Sequence, residues 1–242
     1  MSIRIGIHGA SGKMGQAVLK LLPDFHQLKL GYSYSRNAEF NDIGKLFTTS
    51  DVIIDFSHAQ ALELVLQKAL EFNKKLIIGT TALTSDQLLQ MQQLATKVAI
   101  FYSPNTSIAV HLMSRAVEIA ASILQQETYD ITITDIHHRQ KKDAPSGTSL
   151  MLASKINAVK KSCANTISAD NNIEFCSIRA GNEPAKLEVM FSGQHDSLLF
   201  THQSHSRYTL AQGALKIAIW LEKMPAGFYT MDDYIAAIKY NL

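Results

Sequence analysis

Cysteine is nearly absent: the 242-residue chain has two, Cys163 and Cys176, at no spacing that a metal would use. That argues against a disulfide-stapled scaffold and fits a reducing compartment in which both thiols are inert. A charge excess of one sign is missing too. The 23 basic and 21 acidic residues are interspersed and leave a formal net charge of +2, so no whole-molecule field points to nucleic acid or to an anionic membrane. No stretch approaches the roughly 18 apolar residues of a membrane span, and the start, MSIRIGIHGASG, has no long apolar leader core. These absences predict a cytoplasmic protein. The 46% of hydrophobic residues suffice for a substantial core in one large domain or two modest ones.

The first hundred residues repeat one pattern. Ile3, Ile5 and Ile7 form a β-branched run that ends at GASGKMG, after which QAVLKLLPDF has apolar residues at helical spacing. Gly9, Gly12 and Gly15 make a G-x-x-G-x-x-G turn. Its backbone N–H groups at a helix N-terminus suit a pyrophosphate, although glycine turns also serve as plain connections. LKLGYSYS, DVIIDFS, KKLIIGTT and KVAIFYSPN then read as short buried strands ending in small polar residues. Between them, residues 58–72 and 84–97 have amphipathic spacing, the second opening on a capping box of Thr84 and Gln87. This predicts a doubly wound parallel sheet of the Rossmann type, with Phe56-Ser57, Gly79-Thr80-Thr81 and Ser103-Pro104-Asn105 around one crevice at the carboxyl ends of the strands. The second strand ends in Tyr34-Ser35-Arg36 instead of the acid that grips an NAD ribose. Ser35 and Arg36 favour a 2′-phosphate, hence NADPH over NADH. Arg36 is also able to stack on the adenine or to face water.

Past Asn105 a long helical stretch, SIAVHLMSRAVEIAASIL, changes the pattern. The strand-like YDITITDI then leads into HHRQKKDAPSGTS, and SLMLASKINAV reads as a helix. Ser146, Gly147 and Thr148 stand at the start of that helix, where hydroxyls and N–H groups would hold a carboxylate. Lys141 adds a fixed cation, and His137 and His138 add two imidazoles, a group whose unperturbed pKa is about 6.5. A solvated basic loop followed by an N-cap is the plain alternative. The convergence of these groups on one helix start favours a site for a small dianion.

The stretch DIHHRQKKDAPSGTS resembles the E-x-H-H-x-x-K-x-D-A-P-S-G-T motif of the 4-hydroxy-tetrahydrodipicolinate reductase family, formerly dihydrodipicolinate reductase. The resemblance extends along nearly the whole chain through GASGKMG, VIIDFS, LIIGTT, SPNTS, IRAG, FTHQSHSR and the Gly213-Ala214 pair. It implies nucleotide binding by Gly9, Ala10, Ser11, Gly12, Lys13, Met14, Arg36, Gly79, Thr80, Thr81, Ser103, Pro104, Asn105 and Thr106. It implies substrate binding by His138, Gly147 and Thr148, catalytic roles for His137 and Lys141, and no metal. Several positions depart from the family pattern: Ala82, Thr106 and Ala109 replace Gly, Phe and Gly, Asp135 replaces Glu, and Ala185 and Leu187 stand where the family has G-x-H.

The implied reaction belongs to bacterial diaminopimelate and lysine synthesis. A cyclic dicarboxylate loses water to a conjugated imine, NADPH or NADH delivers hydride to the ring, and a proton goes to the neighbouring carbon. His137 would donate or relay that proton, and Lys141 would donate it or act as a charge alone. The resemblance also implies a homotetramer and two domains: residues 1–106 with 214–242 as the dinucleotide-binding domain, and 107–213 as an α+β substrate and oligomerisation domain with a mixed sheet. KLEVMFSG and SLLFTHQ carry apolar residues on both faces, as strands covered on each side do. Two other readings remain: a non-catalytic NAD(P)-binding redox sensor, and a metal hydrolase using His137, His138, His202 or His205, which lacks the usual ligand spacing.

Overall fold

The computed structural model describes residues 2–36, 42–124, 128–162 and 173–239. Cys163 lies outside them. The chain divides into two compact units, residues 1–107 with 207–242, and residues 108–206.

The first unit opens with β1 (Ile3–His8), α1 (Lys13–Leu21), β2 (Leu28–Tyr34), α2 (Ile43–Thr48), β3 (Val52–Asp55), α3 (Leu62–Glu71), β4 (Lys75–Ile78), α4 (Ser85–Leu94) and β5 (Ala99–Tyr102). Strands buried on both faces read as continuous apolar runs, and VIID of β3 is buried at all four positions. On one face Ile53, Leu76, Ile78 and Ile100 pack with Leu46, Phe47, Leu62, Val65, Ala69 and Met91 from α2, α3 and α4. The Thr84–Gln87 capping box is formed in both directions and fixes where α4 begins.

The second unit follows with α5 (Ile108–Leu124), β6 (Asp130–His137), α6 (Gly147–Ser162), β7 (Ile173–Arg179), β8 (Ala185–Ser192) and β9 (Ser197–Ser204). Its sheet order is β7-β6-β8-β9, with β6 and β7 parallel and the other two pairs antiparallel. Period-2 alternation puts Ile131, Ile133, Leu187, Val189 and Phe191 on the face that packs with Val117, Ala121, Leu152 and Ile156 of α5 and α6.

The chain then returns to the first unit as α7 (Tyr208–Leu221), β10 (Gly227–Tyr229) and α8 (Met231–Lys239). The six parallel strands run β10-β5-β4-β3-β1-β2. The expected return at residue 214 falls inside α7. The helix is a single element whose buried positions begin at Ala211 and which packs on α1, β3 and β4, so the division falls before it, at Arg207. No helix among the described residues is long and apolar enough to cross a membrane.

Candidate functional sites

The parallel register brings the ends of β1, β2 and β3 level, with His8 beside Tyr34 and Asp55. The chain then turns at Gly9, whose φ of +82° is a left-handed conformation that a side chain would strain. A Cβ on Gly15 would lie 2.4 Å from the Gly9 carbonyl oxygen, so α1 can rest on the turn only with glycine there. The amides of residues 9–12 are engaged inside the protein. Gly9 and Ala10 N–H both donate to Tyr34 O at 3.0 Å, Gly12 N–H donates to Gly9 O at 3.0 Å, and Ser11 N–H donates to Ser35 Oγ at 2.8 Å. The amides left open to an anion are therefore those of the first turn of α1, at Lys13, Met14 and Gly15. They lack intrahelical acceptors, and Gly12 at the cap brings no side chain to cover them. A cradle of that kind fits the pyrophosphate of a dinucleotide.

Two clefts lie at this end of the sheet. One, of about 350 Å³, is lined by His8, Gly9, Ser11, Gly12, Tyr34, Ser35, Arg36 and Phe56 among others. The second, of about 290 Å³, is lined by Met14, Phe56, Ser57, Gly79, Thr80, Thr81, Pro104, Thr106 and Leu210. Phe56 and Ser57 border both, which makes the clefts neighbours. Of the residues expected to bind nucleotide, Ala10, Lys13, Ser103 and Asn105 line neither. Ala10 and Ser103 are buried. The Ser103 hydroxyl donates to Asn105 O at 2.5 Å, and Asn105 Oδ1 accepts from Ser107 N–H at 2.9 Å, so this turn is knitted to itself. Thr106 donates to Leu210 O at 2.7 Å and ties α7 to the cleft wall. Arg36 is exposed at the cleft and no acid among the described residues pairs with it.

In the second unit the basic cluster is built around a buried carboxylate. Asp135, 1% exposed, accepts at Oδ2 from Ser146 N–H at 2.9 Å, from the Ser149 hydroxyl at 3.0 Å and from the Ser177 hydroxyl at 3.0 Å. Its Oδ1 accepts from Arg179 Nη1 and lies 3.2 Å from His137 Nδ1. One side chain on β6 thus holds the start of α6, β7 and the imidazole. Ser146, expected to offer its N–H and hydroxyl to a ligand, has both tied inward, its hydroxyl being 2.7 Å from that of Ser149. Gly147, exposed, and half-buried Thr148 stand at the start of α6. Lys141 Nζ pairs with Asp143 Oδ2 at 2.8 Å, while Arg179 also donates to the Asp143 carbonyl and closes the loop.

The titrations follow from these contacts. Burial alone raises the Asp135 carboxyl, but bonds from Ser146 N–H, Arg179, Ser149 and Ser177 outweigh it and hold the pKa at about 2. Burial, and then the charge of Lys141, lower the His137 pKa below its ordinary value, against the pull of Asp135. Asp143 is raised by burial and lowered more by Lys141, and ends below its ordinary value. The cluster therefore couples an ionised carboxylate to an imidazole biased toward the neutral form. A dianion docked at the start of α6 would reverse that bias. Among the described residues no group of three or more His, Cys, Asp or Glu side chains gathers as a metal site.

Sequence reasoning missed three contributors. His8 and Asp55 stand 47 positions apart and meet only through strand register, at 2.7 Å. Arg179 was visible only within IRAG, with nothing to reveal its bond to Asp135.

Comparison with known proteins covers both units. The family described as "Dihydrodipicolinate reductase, N-terminus" matches residues 3–106, and "Dihydrodipicolinate reductase, C-terminus" matches residues 109–235. A 4-hydroxy-tetrahydrodipicolinate reductase of Rickettsia bellii (strain OSU 85-389) is 37% identical over 100% of this chain and 98% of its own. One of Zymomonas mobilis subsp. mobilis is 36% identical over 97% of each. Among solved structures, a dipicolinate-bound dihydrodipicolinate reductase from Paenisporosarcina sp. TG-14 shares the fold with a TM-score of 0.78, at 24% identity, over 95% of this chain and 98% of that one.

Proposed function

The chain belongs to the dihydrodipicolinate reductase family, and from that membership we propose that it reduces 4-hydroxy-tetrahydrodipicolinate to tetrahydrodipicolinate with a nicotinamide nucleotide, for diaminopimelate and lysine synthesis in the bacterial cytoplasm. The observation that carries the reading is the Asp135 hub, which binds His137 and the start of α6 with one carboxylate. A second carboxylate hydrogen-bonded near the substrate would repel a dianion if it stood alone. Arg179 neutralises it, Asp143 balances Lys141, and the N-terminus of α6 leaves the surroundings positive.

The nucleotide, held at the first turn of α1 and in the two clefts, supplies the hydride when bound. Gly147 and Thr148 orient a substrate carboxylate, and His138 adds a further polar contact to the substrate. His137, its Nδ1 turned to Asp135, presents Nε2 as the proton-carrying atom, and Lys141 balances charge as it develops. Ser35 and Arg36, which no acid among the described residues pairs with, support NADPH over NADH. The apolar side chains on the sheet face away from α5 and α6 support a homotetramer built through the second unit.

The direct test is nucleotide oxidation, followed by absorbance, with substrate generated in place by the synthase that makes it. NADPH and NADH are run in parallel. Turnover with both, faster at low concentration with NADPH, is the expected outcome. A chain that binds nucleotide and never oxidises it would instead be the redox sensor.

A further inference from the structure

The reaction does not use a buried acid–imidazole pair beneath the glycine turn. His8 is 5% exposed and Asp55 fully buried. Asp55 Oδ1 lies 2.7 Å from His8 Nδ1 and accepts from Ser57 N–H at 3.1 Å. Oδ2 accepts from the Thr80 hydroxyl at 3.0 Å. A carboxylate held by three donors does not rotate, and as an acceptor it takes the proton at Nδ1. In the neutral ring Nε2 then carries the lone pair. Asp55 engages one ring nitrogen and leaves the other for the cleft that His8 lines together with Ser35 and Arg36.

Those two residues mark where an adenosine ribose would lie. Sites that take an unphosphorylated ribose normally provide an acceptor for its 2′-hydroxyl from an acid at the end of the second strand, and here that strand ends in Tyr34-Ser35-Arg36. We propose that His8, fixed by Asp55, is the missing acceptor: its Nε2 takes the hydrogen bond of the 2′-hydroxyl, so this chain uses NADH through His8 and NADPH through Arg36. Among the described residues, the other charged or titratable groups around the ring are Tyr34, its centroid 5.2 Å away, and Arg36 and His58 on the cleft wall. None of them is a carboxylate able to serve instead.

The proposal rests on the nucleotide reading of the cleft, and the test separates the two. Dissociation constants for NADH and NADPH are measured by fluorescence titration of the full chain. His8→Asn keeps an amide where Nδ1 bonds Asp55 and removes the atom at Nε2. It should weaken NADH roughly tenfold and NADPH less than threefold, whereas Arg36→Met should weaken NADPH selectively. His8→Gln restores an amide near Nε2 and loses the Asp55 bond. It should melt lower than the parent yet hold NADH within about threefold, which decides the matter if His8→Asn does not fold. If the unaltered chain binds neither nucleotide, the reading of the cleft fails. If it binds both and His8→Asn weakens them equally or not at all, or if His8→Gln loses NADH tenfold, the role given to His8 is overturned.

Discussion

At the scale of single residues, His137 and Thr148 should fail in different ways. Thr148→Val keeps the shape at the start of α6 and removes one hydrogen bond to the substrate, so KM should rise about tenfold with kcat little changed, a loss near 1.4 kcal/mol. His137→Gln should lower kcat roughly a hundredfold or more while nucleotide affinity holds. The pH profile sharpens the assignment. Burial and Lys141 lower the His137 pKa in the free protein, and its protonated form is the acid, so kcat/KM should fall as pH rises through a value below 6.5. A bound dianion favours the cation, which moves the corresponding limb of kcat to higher pH. Steady-state rates between about pH 5 and 9 test both limbs, and in His137→Gln neither should remain. The Ala82 departure from the family pattern has its own signature. Ala82 sits at φ +59°, where L side chains are strained by about 1–2 kcal/mol. Part of the relief from Ala82→Gly is offset by a more flexible unfolded chain, so that change should stabilise by roughly 0.5 kcal/mol, read as a small rise in Tm.

At the scale of elements, Asp135 is the joint between β6, β7 and α6. Its carboxyl has a pKa of about 2 against an ordinary 3.8. The unfolded chain therefore binds more protons between those values, and stability rises with pH there: the contribution, about 2 kcal/mol, is complete above the unfolded value and is lost as pH falls toward 2. Asp135→Asn leaves half-buried Arg179 without its counter-charge and should cost about 2 kcal/mol in chemical denaturation, with a flattened acid limb of the stability curve. The same joint explains which parts could be read in advance. β1, β3, β4 and β5 were legible because strands buried on both faces are runs of Val, Ile and Leu, and α4 because its cap is written in Thr84 and Gln87. β10 is three residues held by pairing with Ala99–Phe101, and α2 is six residues started by the Asp42 cap. Neither has enough sequence to show a period. β7 exposes half of IEFCSIR, which blurs its alternation. The His137–Thr148 cluster was legible because it is contiguous. The His8–Asp55 and Asp135–Arg179 pairs were not, because tertiary register alone brings them together.

At the scale of the whole molecule, association depends on the face of the four-stranded sheet that α5 and α6 do not cover. Pairing places Ile136 beside Ile178 and Met190 beside Leu199, all with side chains on that face by the period of two. Ile178, Met190 and Leu199 are 40%, 36% and 53% exposed. Lys186 and Glu188 of the same face pair with each other at 2.7 Å, which neutralises the charge that would keep copies apart. An apolar patch on a sheet face invites association, and a stable contact needs roughly 800 Å² from each partner, about what a four-stranded face offers. A tetramer joined through this face should appear by light scattering at micromolar concentration, with a Tm that rises with protein concentration because association favours the folded state. Leu199→Glu puts a charge beside Met190 in the middle of the contact. The expected result is a smaller species with lower, concentration-independent Tm and unchanged far-ultraviolet circular dichroism. A monomer in the unaltered protein, or a tetramer that survives the substitution, would place the contact elsewhere.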